Sequence, residues 1–234
     1  MLHSPSEKIR FVFVHFDGVV LENILAPITY SVVSKLGGIY SAEIENNVFA
    51  RSQSHAASFI IRELNLNLSI NDIIDLYYKE RKQYEESHSI RMNPGVKNFL
   101  LLLQSLGYTV VSYGGAPKDY FLKHVKDLAP LFGHEKYIQT KDFRPGVKEI
   151  IFNNYGLKPW EALFIDEEFI IAQASKDLLV PFIGMSTGFD YSYQKQEMEK
   201  LGVKYLIHSL DEIDSEYLEC IQREVTNGKI WTKI

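Results

Sequence analysis

The sequence predicts an α/β protein, a parallel sheet layered with helices and carrying an all-helical insertion. Three observations predict it. Phe11 to Val14 is an unbroken apolar run that ends at the polar cluster His15, Asp17 and Gly18. A run of this kind reads as a strand buried on both faces. From residue 95 onward, short apolar strands alternate with helical patterns, as right-handed crossovers between parallel strands require. Between these two regions, residues 24–88 show helical spacing throughout.

Taken in order, residues 1–9 are polar and read as a frayed end. The first strand runs to about Val14, and Gly18 permits a sharp turn after it. Residues 24–36 space their apolar groups as a helix does and stop at Gly37 and Gly38. Residues 41–50 and 54–64 read as two further helices. Ser69 and Asp72 form an N-terminal capping signal for a helix through Glu86, whose charged face is read as solvated. Val96 to Leu106 is a helix ended by Gly107. Tyr108 to Val111 reads as the second strand, running into a turn at Ser112 to Ala116. Pro117 opens a helix to about Lys126. Tyr137 and Ile138 read as a short strand, and Pro145 to Tyr155 as a helix. Ala162 to Ile165 is another fully apolar strand, ending at Asp166. Helix 169–177, strand 180–183, helix 194–201, strand 205–207 and helix 211–225 complete the chain. The expected organisation is therefore an α/β core of residues 1–23 and 89–234, with a helical unit at 24–88.

Composition narrows the function classes. Of 234 residues, 46% are hydrophobic and 13% aromatic, ample for a packed core. Lys and Arg number 25 against 30 Asp and Glu, a net charge of -5 with no basic block. That argues against nucleic-acid binding as the main task. Cys220 is the single cysteine, which excludes an internal disulfide and a cysteine zinc site. No apolar run reaches membrane-spanning length, and Met1 to Arg10 lacks the apolar segment of a signal peptide. A soluble, cytoplasmic protein with no membrane association is the expectation.

Polar groups gather at the predicted strand ends, where open α/β sheets place ligands. They are His15 and Asp17, then Ser112, Tyr113 and Gly114, then Asp166 and Glu167. Arg144 precedes Pro145 at a predicted helix start. Ser112 can donate to an oxyanion, and the Gly114-Gly115 turn offers backbone N–H groups before a helix. Arg144 can grip phosphate or carboxylate with two parallel hydrogen bonds. Asp166 is a hard oxygen ligand of the kind Mg²⁺ takes. Glu167 and Glu168 are read as solvated, with Glu167 a secondary ligand. Arg51 and His55 could face a substrate, although a lone histidine on a helix is more often simply packed or exposed.

Asp17, Gly18 and Val19 after an apolar strand resemble the first motif of the haloacid dehalogenase superfamily, mostly Mg²⁺-dependent phosphohydrolases. Ser112 resembles its phosphate-binding hydroxyl residue. Arg144-Pro145 resembles its Lys-Pro, and Ile165-Asp166 its Gly-Asp metal motif. The helical insert resembles the cap of the branch containing β-phosphoglucomutase and phosphoglycolate phosphatase. The resemblance covers about residues 10–215 and implies a Rossmann-like core. It implies Asp17 as general acid/base. Mg²⁺ would be held by Asp166, the Asp17 backbone carbonyl and Glu167. The family's nucleophilic Asp is replaced by His15, which cannot form an aspartyl phosphate, and the metal site loses a ligand with it. Ile170 stands where many members carry a second acid.

Three functions remain open at this point. One is a site without aspartyl-phosphate chemistry that binds a phosphorylated or anionic metabolite. Another is a working phosphohydrolase in which Asp17 or His15 activates water. The third is a protein-interaction module.

Overall fold

The computed structural model describes residues 8–231. The expected frayed end falls largely on residues 1–7, which lie outside the described residues. Six parallel strands form one sheet: β1 Phe11–His15, β2 Thr109–Gly114, β3 Tyr137–Gln139, β4 Ala162–Asp166, β5 Phe182–Met185 and β6 Tyr205–Ile207. Their spatial order is β3-β2-β1-β4-β5-β6, so β1 is central and hydrogen-bonds β2 on one side and β4 on the other. This position explains its sequence: Val12, Phe13 and Val14 are each buried against helices on one face or the other.

The pleat sorts the core into two layers. Val12, Val14, Val110 and Ile165 face a cluster built with helices α5 (Val96–Ser105), α6 (Lys118–His124) and α9 (Ser215–Thr226). Phe13, Val111, Tyr113 and Phe164 face the opposite cluster. It is built with a wide-turned helix at Glu149–Asn154, with α7 (Phe169–Asp177) and with α8 (Gln194–Leu201). Phe13 stacks on Phe164 with centroids 4.8 Å apart, at the middle of that second layer.

Helices α1 (Leu25–Lys35), α2 (Ala42–Val48), α3 (Gln53–Glu63) and α4 (Ile70–Ser87) fill the interval between β1 and α5. Ser41, Ser52 and Ser69 accept N–H bonds at the starts of α2, α3 and α4, and Ser69 with Asp72 completes a capping box. The chain leaves the core and returns to it side by side. Leu21 and Met92 form an antiparallel bridge, Glu22 N donates to Arg91 O at 3.0 Å, and Arg91 N donates to the Glu22 carboxylate at 2.9 Å. Asn93 reaches three carbonyls of the turn after β1, those of Gly18, Val19 and Leu21, at 2.9 to 3.0 Å.

Several expected elements shift. β2 runs on through Ser112 to Gly114, because pairing with β3 holds residues that look like a turn in sequence. The regular turns after Arg144-Pro145 begin only beyond Gly146, so that pair lies in a loop rather than opening a helix. β5 starts at Phe182, and α9 starts at Ser215 after a single tight turn at Leu210–Glu212. No helix among the described residues is long and apolar enough to cross a membrane.

Candidate functional site

The order β2-β1-β4 brings three carboxyl ends together. His15 closes β1 opposite Tyr113, and Asp166 closes β4. Side chains two apart on a strand share a face. His15 therefore follows Phe13, and Asp166 follows Phe164, onto the same face as Tyr113. The His15 and Tyr113 rings lie 5.2 Å apart. His15 Nδ1 is 3.0 Å from Glu167 Oε2 and 3.4 Å from Asp166 Oδ1. The Tyr113 hydroxyl donates to Asp166 Oδ2 in a short bond. The other Asp166 oxygen accepts the backbone N–H of Glu168 at 2.9 Å.

Glu167 and Glu168 correct the expectation of solvated carboxylates: both are buried, as is Asp166. The backbone turns inward at the end of β4, and the Glu167 carboxylate lies over Gly18, where any Cβ would collide with it. Asn23 Nδ2 donates to its Oε1 at 3.2 Å, and Asn23 Oδ1 accepts the N–H of Ala26 at the start of α1. Burial, followed by the neighbouring carboxylates, drives the Asp166 and Glu167 carboxyls well above their ordinary range; the facing His15 opposes this at Asp166. Burial and the Asp166 carboxylate likewise keep the Tyr113 phenol protonated.

Ser112 requires a second correction. It lies inside β2, fully buried on the opposite face from Tyr113, and its hydroxyl donates to Val14 O at 3.0 Å. The pleat turns it away from the strand-end cluster and its one proton is spent on the backbone. Tyr113 is likewise occupied by Asp166 rather than open to an anion. Gly114, the next residue of β2, also borders His15: a Cβ there would stand 3.4 Å from Nε2. Asp17 is half-buried, and its carboxylate adds to the upward shift of Glu167. Its carboxylate acts on Tyr77 and Arg81 of α4 and on Tyr120 and Tyr137 of the core, raising the Arg81 guanidinium and, beyond the larger effect of burial, the three phenols.

Beside this cluster lies a cleft of ≈ 230 Å³, lined by Arg51, Ser52 and His55 at the start of α3 and by Lys141, Asp142 and Arg144 from the loop after β3. The Arg144 guanidinium packs against Gly115, where a side chain would collide with it. Among the described residues, no carboxylate comes within ion-pair distance of Arg51, Lys141 or Arg144. The buried Arg51 Nε has no hydrogen-bond partner. Arg51 and Arg144, distant in sequence, are thus brought together. Lys141 and Asn23 are functional candidates that sequence reasoning passed over; Lys141, three residues before Arg144, offered a signal only through that proximity.

The arrangement can do two things chemically. The cleft can hold an anion, with three cations and the N-terminus of α3 directed at it. Of the three strand-end carboxylates, Asp166 and Glu167 have each oxygen already hydrogen-bonded, and Glu168 offers a buried Oε2 without a partner.

An open parallel sheet with helices on both faces, a helical insertion after its first strand and polar groups at the central strand ends is the haloacid dehalogenase architecture, and this chain has that fold. It is similar to a β-phosphoglucomutase candidate from Bacteroides vulgatus, with a TM-score of 0.72 at 19% identity over 94% of this chain and 92% of that one. A β-phosphoglucomutase from Clostridium difficile matches with a TM-score of 0.63 at 15% identity, over 93% of this chain and 98% of that one. A haloacid dehalogenase family hydrolase from Deinococcus radiodurans, with bound phosphate and sodium, matches with a TM-score of 0.59 at 14% identity, over 98% and 100%. No protein-family model and no curated protein sequence matches the chain.

Proposed function

We propose that this haloacid-dehalogenase-fold protein binds a small phosphorylated or otherwise anionic metabolite in the Arg51–Lys141–Arg144 cleft without aspartyl-phosphate catalysis. The convergence on one cleft of three cations that have no carboxylate within ion-pair distance among the described residues carries the reading. Buried or partly buried guanidinium groups without a carboxylate partner are costly unless an anion meets them. Phosphate bound to relatives of the same fold supports it. In this reading residues 24–88 act as a cap that supplies Arg51, and the core supplies Lys141 and Arg144. His15 replaces the nucleophile, and any Mg²⁺ site at Asp166, Glu167 and the Asp17 carbonyl is weakened. A cytoplasmic location fits a metabolite of this class.

The test measures phosphate release from a panel of phosphorylated metabolites, with and without Mg²⁺, beside calorimetric binding of inorganic phosphate and sugar phosphates. We expect no turnover by the native chain and saturable binding. Each charge-assisted hydrogen bond is worth about 1.5–3 kcal/mol, so Arg51→Ala or Arg144→Ala weakens binding by at least about tenfold. Steady turnover, or binding indifferent to both substitutions, overturns the proposal. A second reading rests on Asp17, whose half-buried carboxylate would activate water. It requires turnover that Asp17→Ala abolishes.

A further inference from the structure

The resemblance implies a divalent cation at Asp166, and the residues present do not fit one. Mg²⁺ requires a near-octahedral shell of oxygens at about 2.0–2.1 Å, and imidazole belongs with transition metals instead. Here all four oxygens of the two carboxylates are already taken. Asp166 Oδ2 accepts from the Tyr113 hydroxyl and Oδ1 from Glu168 N. Glu167 Oε1 accepts from Asn23 Nδ2 and Oε2 faces His15 Nδ1. His15 Nδ1 stands between Oε2 of Glu167 and Oδ1 of Asp166, 3.0 and 3.4 Å away, in the gap that a cation bridging them would fill.

We infer that the His15 ring takes the place of the divalent cation, so that the centre is metal-independent by construction. Two features favour this arrangement over an accidental contact. Gly18 leaves the space into which the Glu167 carboxylate swings, and a side chain there would block it. Asn23 then holds the second oxygen of Glu167 and, through Ala26 N, ties it to the start of α1. The result is a hydrogen-bonded path from His15 through Glu167 and Asn23 into the helical insert, with Asp166 Oδ1 in contact with His15 at 3.4 Å. A ring nitrogen joins the two carboxylates as a metal ion would. The inference concerns the cluster alone and stands whether or not the neighbouring cleft binds an anion.

The experiment titrates Mg²⁺, Mn²⁺ and Zn²⁺ separately into the native chain, into His15→Ala and into His15→Ala/Asp166→Asn. Binding is followed by calorimetry and, for Mn²⁺, by electron paramagnetic resonance. Removing the ring frees Oε2 of Glu167, clears the space in front of Oδ1 of Asp166 and opens room for water. We expect no stoichiometric binding to the native chain, one Mn²⁺ per chain in His15→Ala with at least a tenfold gain in affinity, and loss of that gain in the double variant. If His15→Ala does not fold, His15→Asn is the substitute, and the native titration still decides. One tightly bound ion in the native chain, abolished by Asp166→Asn, overturns the inference. The three ligand atoms lie within 4.8 Å of one another, so an ion able to draw them together would be detected. Silence in both the native chain and the folded His15 variant also overturns it, because the ring would then not be what excludes the ion.

Discussion

Glu45 of α2 is buried with no exposed surface, and it accepts three hydrogen bonds. The Tyr40 hydroxyl donates to Oε1, and Tyr193 N and Gln194 Nε2 donate to Oε2, each at 2.8 Å. Two of these donors belong to the core, and Gln194 in turn accepts Phe169 N at 2.6 Å at the start of α7. Glu45→Ala removes the acceptor and leaves the donors behind. A hydrogen bond to a charged group is worth about 1.5–3 kcal/mol, and a stranded buried donor costs about 1–3 kcal/mol. Tyr40 and Tyr193 reach water more readily than the fully buried Gln194, so the expected total loss is about 3–5 kcal/mol. Glu45→Gln keeps one acceptor oxygen and should lose roughly half as much on the same basis. Urea denaturation, followed by circular dichroism and by intrinsic fluorescence, gives the loss from the shift in midpoint at constant slope. A loss below about 1 kcal/mol in Glu45→Ala would refute the reasoning, since three satisfied bonds to a buried carboxylate cannot be that cheap.

Gly115→Ala pushes the Arg144 guanidinium off its seat and should weaken phosphate binding about tenfold, the worth of one charge-assisted bond. Unchanged affinity by calorimetry would mean that Arg144 does not contact the anion. Glu80 supplies the pH dependence. Burial pushes its carboxyl up, but the hydrogen bonds from Lys35 at 2.5 Å and Ser31 at 2.7 Å outweigh it, so the net shift is downward from 4.5. A carboxyl depressed in the folded state stabilises above its unfolded value and ceases to do so as pH falls through the folded value. The stability gap between the native chain and Glu80→Gln should therefore be full at neutral pH and close on acidification below about 4.5. A gap that stays constant or widens in acid would contradict the assignment.

Much of the fold was legible because its signals are local. The apolar run of β1, the serine and aspartate at the start of α4, and Gly202 after α8 each carry their own physics. β6 and α8 fall where periodicity puts them. Features that depend on distant partners were not legible. Ser112, Tyr113 and Gly114 look like a turn until β3 pairs with them. Two adjacent glutamates after Asp166 look solvated until His15, Asn23 and Gly18 receive one of them. Arg51 and Arg144 were visible as basic residues, but nothing local says that α3 and the loop after β3 face each other. Glu45 lies in an ordinary amphipathic stretch, and its burial follows only from how α2 meets the segment before α8.

The paired crossings at Leu21 and Met92 have a consequence for how the chain assembles. An antiparallel bridge holds its two Cα atoms about 4.5–5.5 Å apart, so to the sheet the four-helix segment is one long hairpin loop. Closing a flexible loop of roughly 70 residues costs about 4 kcal/mol in chain entropy, while doubling it would add only about 0.6 kcal/mol. The sheet is therefore almost indifferent to the length of what it carries there. A short hairpin turn in place of the helices would leave both ends of the sheet connection where they now stand, and the core should be able to form with the segment still unstructured.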